Sequence, residues 1–237
     1  MSQSVDSAAD PRLRARIAAD WSLERTTVDA WLAAATIRSF PRGTSVYPQG
    51  SHRGVLFLVL DGVVSMSVLL PNGQRILCAF NRPGALFGFP LVESERPRWS
   101  AADAFTPVTI ALVPRRDFER VMAGLSPAAV IRFFNKVLER QARLAMRLVH
   151  CVALDLRGRL ALTLVDLTQA FGVSERNGLR VDLPITHENL ADMVGASRER
   201  ISKAMALLMD EGLIRYARQA VTVLDLARLQ EVATPAV

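Results

Sequence analysis

Apolar and polar positions change rhythm several times along the 237-residue chain. Over residues 10–38 the apolar positions recur at helical spacing. That predicts one or two helices with Trp21, Val28, Trp31, Leu32 and Ile37 inward. From Phe40 the texture becomes short apolar runs at 55–60, 63–70, 76–80 and 108–113. Turn signals divide them: Pro41-Arg42-Gly43, Pro48-Gln49-Gly50, Asp61-Gly62, Pro71-Asn72-Gly73 and Pro83-Gly84. Short strands at this spacing predict an all-β barrel or jelly roll, with a hairpin turn at Pro71-Asn72-Gly73-Gln74. After Pro114 the period is helical again. A short helix is expected over 117–122, then a long one opened by Ser126-Pro127 and running towards Asp155.

In the long helix Val130, Phe134, Val137, Gln141, Leu144, Leu148 and Cys151 alternate by four and three, a heptad seam that Ile131, Leu138, Ala145 and Val152 widen. Arg132, Lys136, Arg140, Arg143 and Arg147 lie largely off it. A face this wide predicts a helix that packs on its own barrel and also pairs with a second copy. Residues 154–158 read as a hinge. Residues 158–171 read as a helix with Leu160, Leu162, Leu164, Val165 and Leu167 inward, and 172–183 as a loop and a strand.

The stretch from Thr186 to Ile214 predicts a helix–turn–helix. Thr186 is a good N-cap, and Leu190, Ala191, Met193 and Val194 give the first helix an apolar face. Gly195 suits the left-handed turn, and Ser197 caps a second helix that begins Arg198-Glu199-Arg200. Ile201, Ala204, Leu207 and Leu208 form its apolar side. A helix polar at its N-terminal end and apolar behind is what reading a DNA major groove requires. Residues 214–216 and 221–224 read as a hairpin wing, and 226–232 as a last helical turn.

Composition narrows the class. Half the residues are hydrophobic, enough for a core without staples, yet no run approaches a membrane span. The first ten residues lack the pattern of a secretory signal and read as a disordered lead. With only Cys78 and Cys151 there is no disulfide framework and too few thiols for an iron–sulfur cluster, so a cytoplasmic protein is expected. The net charge is +6, but residues 157–237 hold 10 Lys and Arg against 10 Asp and Glu. The surplus, 19 against 13, lies in residues 1–156, so the local arrangement of Arg198, Arg200 and Lys203 says more about DNA than the total does.

Barrel, long helix, hinge and winged helix–turn–helix, in that order, resemble the CRP/FNR family of bacterial transcription regulators over residues 38–226. The matching pieces are F-P-R-G-T at 40–44, L-F-L-V-L-D-G-V-V at 56–64, P-G-A-L-F-G at 83–88, R-W-S-A-A-D-A at 98–104, L-D-L-R-G-R-L-A at 154–161 and G-A-S-R-E-R-I-S-K at 195–203. The resemblance implies an α+β chain: an N-terminal lead and helices at 1–37, a cyclic-nucleotide-binding-like jelly-roll barrel at 38–125, a dimerisation helix at 126–155 and a winged helix–turn–helix DNA-binding domain at 156–237. It implies a homodimer on a pseudo-palindromic duplex, its two reading helices in successive major grooves. RNA polymerase is a further implied partner, at the loop 174–178. In the family the positions of Arg198, Glu199 and Lys203 contact base edges. Their chemistry agrees: Arg198 can fork onto guanine, Glu199 can accept from cytosine, and Lys203 can reach guanine as a point charge. Ser202 can serve a base or a phosphate, and Thr186, His187 and Ser197 suit phosphates. Glu199 is also spaced to pair with Lys203 within the helix.

The effector site departs from the cyclic-AMP-binding pattern. After Phe87-Gly88 the family's ribose-binding glutamate is replaced by Phe89, followed by Pro90. Arg98 matches the phosphate-binding arginine, but Trp99, followed by Ser100, falls on its serine partner. Leu144 and Ala145 stand where hydroxyl residues meet adenine. Unpaired polar groups at these places cost on the order of 1–3 kcal/mol each, so cyclic AMP is not the expected ligand. Two alternatives stay open: an unidentified small-molecule effector with a larger apolar part, anionic against Arg98, or a site filled by the protein's own side chains and a regulator controlled by abundance. Relatives include haem sensors, but His150 and Cys151 are adjacent on a helix and point about 100° apart, so packing is expected of them and no metal site. His52 reads as a surface residue. A different class would be a sensor or interaction module whose helix–turn–helix packs on a protein partner. An enzyme is not expected, since no acid–base pair, nucleophile motif, phosphate-cradling loop or metal spacing is present.

Overall fold

A computed structural model describes residues 10–52, 54–89 and 97–234, with the side chains of Arg147 and Leu148 outside the description. The chain forms two compact units, residues 1–141 and 142–237.

The first unit opens with α1 (Pro11–Asp20) and α2 (Arg25–Ala34). Asp10 caps α1 by accepting from the Arg12 N–H, and Arg14 reaches Asp29 of α2 at 2.9 Å. The strands are β1 (Thr36–Phe40), β2 (Ser45–Tyr47), β3 (Val55–Asp61), β4 (Val64–Leu69), β5 (Arg75–Asn81), β6 (Leu86–Phe87), β7 (Ala101–Ala104) and β8 (Val108–Pro114). They pair antiparallel into two sheets, β1-β8-β3-β6 and β2-β7-β4-β5, the expected jelly roll. Helix α3 (Arg115–Ala123) follows, then α4 (Pro127–Ala153). The helical stretch at the start is shorter than expected. Thr36 and Ile37 are β-branched and pair with Leu112 and Ala111 of β8, so the chain is already a strand where a helix was predicted.

β3 is apolar without a break because both its faces are covered. Leu56, Leu58 and Leu60 pack with Ile17, Trp21, Val28, Trp31, Phe118 and Phe133 of the helices. Phe57 and Val59 face the barrel interior with Tyr47, Phe87, Ala102 and Ile110. β2, β6 and β7 are only two to four residues long, too short to show a period in the sequence. The Pro71-Asn72-Gly73-Gln74 turn closes the β4–β5 hairpin as predicted, with Leu69 opposite Arg75.

Burial divides the residues of the predicted long-helix seam. Ala129 and Phe133 are buried, and Val137 packs beside them on the helical core. Val130 is half-buried. The barrel takes the 129/133/137 face, and the open stripe is Ile131 (61% exposed), Phe134, Leu138 (63%) and, in the second unit, Ala145 and Val152 (90%). Gln141, Leu144 and Cys151 are also exposed, and Leu148 lies outside the described side chains.

The second unit holds the end of α4, then α5 (Leu156–Phe171), β9 (Gly172–Glu175), β10 (Gly178–Val181), α6 (His187–Val194), α7 (Arg198–Asp210), β11 (Ile214–Ala217), β12 (Ala220–Val223) and α8 (Leu226–Val232). Its sheet runs β11-β12-β10-β9, so the predicted wing is joined by a second hairpin where one strand was expected. α5 buries Leu160, Leu164, Val165 and Leu167, while Leu162 is only half-buried. The predicted hinge is a braced elbow. Asp155 caps α5 at Gly158 N, and the Arg159 guanidinium donates back to the carbonyls of Leu154 (3.0 Å) and Cys151 (3.4 Å) at the end of α4.

Candidate nucleic-acid interface

Two short helices meet at a fixed turn because each has its own caps. The Thr186 hydroxyl oxygen accepts from Asn189 N, and the Asn189 side chain accepts from Thr186 N, a reciprocal pair that starts α6. Gly195 ends it in the left-handed region (φ 71°, ψ 47°), where a side chain would be strained. Ser197 then caps α7 at Arg200 N. Leu190, Ala191 and Val194 are buried, as are Ile201, Ala204, Met205 and Leu208. The buried face of α7 therefore runs 201/204/205/208. Leu207, expected inside, is 52% exposed, and Met205 takes that place.

This burial decides what α7 presents. Arg198, Glu199, Arg200 and Lys203 are exposed on its first two turns. The Glu199 carboxylate is held below its ordinary value by its own backbone N–H, then by the Ser197 hydroxyl and the Arg198 charge. Among the described residues it makes no ion pair with Lys203. In the free protein it faces the start of its own helix, ionised and ready to accept.

Ser202 is more inward than its predicted base-reading role suggests. Its hydroxyl donates to Arg198 O at 2.9 Å, and its oxygen lies 2.9 Å from His187 Nδ1. The His187 ring packs 4.6 Å from Tyr216 of β11, whose hydroxyl donates to Ile185 O at 3.2 Å. The Ile185 N–H in turn donates to Gln219 O at the wing tip, 2.9 Å away. His187 thus ties α6, α7 and the wing together. Burial, then the nearby Arg198 charge, lowers the pKa of the imidazole, and its Nε2 is buried without a partner. Burial also raises the Tyr216 phenol.

Thr186, His187, Glu188, Arg198, Tyr216 and Gln219 line a half-open concavity of about 480 Å³. Glu188, Tyr216 and Gln219 were not singled out as site residues from the sequence, although Glu188 lies within the helix–turn–helix and Tyr216 within the wing.

Within the first unit the predicted effector-site residues divide between two surroundings. Arg98 is 6% exposed; its guanidinium donates to the carbonyls of Gly88 (3.3 Å) and Val55 (3.1 Å). It lies 4.3 Å above the Tyr47 ring and 5.1 Å from Phe57. Phe57 and Phe87 stack at 5.1 Å beneath it. Gly88 leaves no room: a Cβ there would sit 2.6 Å from Arg98 Nη1 and 2.7 Å from Phe57. Phe89 lies instead in the helical core, 5.8 Å from Trp21. Ser100 is buried and Trp99 is 54% exposed. Leu144 and Ala145 are exposed in the second unit. Pro90 lies outside the described residues. Among the described residues no cluster of three His, Cys, Asp or Glu could hold a metal, and no helix is long and apolar enough to cross a membrane. His150 is half-buried and Cys151 exposed.

A family model for a Crp-like helix-turn-helix domain matches residues 158–232, and one for a cyclic nucleotide-binding domain matches 37–124. A CRP-like cAMP-activated global transcriptional regulator of Mycobacterium tuberculosis is 32% identical over 80% of this chain and 84% of its own length. The transcriptional regulator LdrP of Thermus thermophilus is 31% identical over 82% of this chain and 95% of its own. A solved CRP-family regulator, also from Thermus thermophilus, superposes with a TM-score of 0.69 at 28% identity, covering 83% of this chain and 96% of its own.

Proposed function

The chain belongs to the CRP/FNR family of DNA-binding transcription regulators, and on that premise we propose that it acts as a homodimer whose effector domain does not take cyclic AMP. The observation that carries the DNA reading is the exposed Arg198, Glu199 and Lys203 on the first turns of a doubly capped α7. A guanidinium there can fork onto guanine, and an ionised carboxylate beside it can accept from cytosine. Thr186, Ser197 and the concavity beside them suit the adjacent phosphates. The outward stripe of α4 supports pairing with a second copy, which brings two such helices to one duplex. The exposed turn between β9 and β10 is the surface offered to RNA polymerase.

Against cyclic AMP stands the chemistry around Arg98. A phosphate there must draw the guanidinium from two main-chain carbonyls and two aromatic rings. A ribose hydroxyl finds no carboxylate at Phe89. Three or four unpaired polar groups remove micromolar affinity. These observations favour a site filled by its own side chains over one that takes an anionic effector at Arg98. The Mycobacterium tuberculosis relative is a cAMP-activated regulator, and on this reading the two chains differ in their effector.

Selecting bound fragments from random DNA with purified protein tests the first reading; a pseudo-palindrome is expected, and no enrichment overturns it. Titrating cyclic AMP against intrinsic tryptophan fluorescence, with exposed Trp99 as reporter, tests the second. No saturable change in the micromolar range is expected, and saturation there refutes it.

A further inference from the structure

The imidazole of His187 is held in one tautomer. Ser202 has a single hydroxyl proton and donates it to Arg198 O at 2.9 Å. The 2.9 Å contact between Ser202 Oγ and His187 Nδ1 therefore takes its proton from the ring. Nδ1 carries the hydrogen. Nε2 keeps a bare lone pair, buried and without a partner. The Tyr216 ring packs against the imidazole at 4.6 Å, and its hydroxyl fastens the wing to Ile185 O.

A second proton has no good place here. It would create a buried N–H on Nε2 with no acceptor. The charged and titratable groups around the ring are Glu188 from its own helix, Arg198 from α7 and Tyr216 from the wing. Burial, then the Arg198 charge, opposes an imidazolium. Burial keeps the Tyr216 phenol neutral, and among the described residues Glu188 makes no ion pair with the ring. An imidazolium escapes these costs by leaving the cluster for water. Its departure frees Ser202, which holds the first turn of α7, and uncovers Tyr216, which holds the wing.

We propose that His187 is a proton-sensitive latch of the reading head. The neutral ring fastens α6, α7 and the wing in the arrangement that takes DNA; the protonated ring lets go, so acidification weakens binding. The inference rests on α7 being the DNA reader, and it assigns His187 to the inside of the motif and not to a phosphate. The sign follows from the competition. DNA binding needs the neutral ring, so affinity is full above the ring's ordinary value and falls as the pH drops through the lower value of the folded head. The chain's other two histidines, His52 and His150, lie outside α6, α7 and the wing.

The test measures affinity for the duplex recovered by selection from random DNA, from about pH 7.5 to about pH 5.5 at constant salt, with circular dichroism in parallel. Wild type should lose about fivefold in affinity while it stays folded. His187→Asn keeps an N–H donor near the place of Nδ1 and does not titrate. Whatever its affinity at neutral pH, that affinity should change by less than about twofold over the range. His52→Asn and His150→Asn should keep the wild-type response. In the wild type, NMR of the His187 ring should show it titrating at a lower pH with duplex bound than without, because protons and DNA oppose each other reciprocally. A flat wild-type response, a parallel loss in His187→Asn, or a loss only where the helical signal also falls overturns the proposal. Affinity that rises on acidification, or a ring that titrates higher on DNA, makes the imidazolium a phosphate contact and overturns it too. If Arg198→Ala weakens binding at neutral pH while the pH response is absent, only the latch falls. If Arg198→Ala changes nothing, the reading of α7 falls with it.

Discussion

Arg198 and His187 sit beside each other with opposite tasks. Arg198 is exposed and able to fork, so Arg198→Ala should cost roughly 1–3 kcal/mol on the selected site and little on random duplex. Gel shifts at matched salt check this, and equal losses on both duplexes would make Arg198 a phosphate contact. His187 works inside the motif. Its folded pKa lies below its ordinary value, so the unfolded chain binds more protons as the pH falls. The stability it contributes is complete above about pH 6.5 and declines as the pH drops through that value towards the folded pKa. Melting curves from pH 8 to 5 should show this decline weakened in His187→Gln; parallel curves would remove the assignment. Two tryptophans offer a contrast. Trp21 Nε1 donates to Gly84 O at 3.0 Å, while buried Trp31 Nε1 has no partner. Trp21→Phe should therefore cost about 1–3 kcal/mol more than Trp31→Phe in denaturant unfolding, because it leaves a buried carbonyl unpaired.

At the scale of elements, much was legible wherever one face alone sets the period. α6 and α7 were visible from Thr186, Gly195 and Ser197, since capping is decided by nearest neighbours. In the seam of α4, Val130 is half-buried and Val137 packs on the helical core, while Phe134, Gln141, Leu144 and Cys151 stay exposed. Apolar spacing alone weighs Val130 and Ile131 equally, and only the barrel's claim on Phe133 and Val137 separates them. The elbow at 154–158 reads as a hinge in the sequence, where it separates two helical stretches. Arg159, one turn into α5, removes that freedom by binding the last carbonyls of α4. Arg159→Ala should cost about 1 kcal/mol in unfolding of the second unit and raise amide exchange around 151–156. Unchanged exchange would return the segment to a free hinge.

For the whole molecule, the open stripe of α4 carries the consequence. Ile131, Phe134 and Leu138 stay exposed in a single chain, which is costly unless a second copy covers them. Leu138→Glu places a charge in that stripe without touching the Phe133 core. If the proposed homodimer forms through this stripe, sedimentation should show the variant dissociating at concentrations where the wild type pairs, and operator affinity should fall by well over tenfold, because two linked reading helices bind far better than one. A variant that stays dimeric would move the interface elsewhere.

What the chain determined by itself was local: caps, turn residues, the alternation of periods, and hence the order barrel, long helix and winged helix–turn–helix. These follow from interactions within a few residues, which a linear pattern records. What only the tertiary structure decided was which of several equally apolar faces is covered. It turned Phe89 away from the effector site into the helical core, folded Arg98 onto Val55 and Gly88, and drew Ser202 to His187. Such choices depend on partners tens of residues away competing for the same side chain, and no spacing rule along one segment contains them.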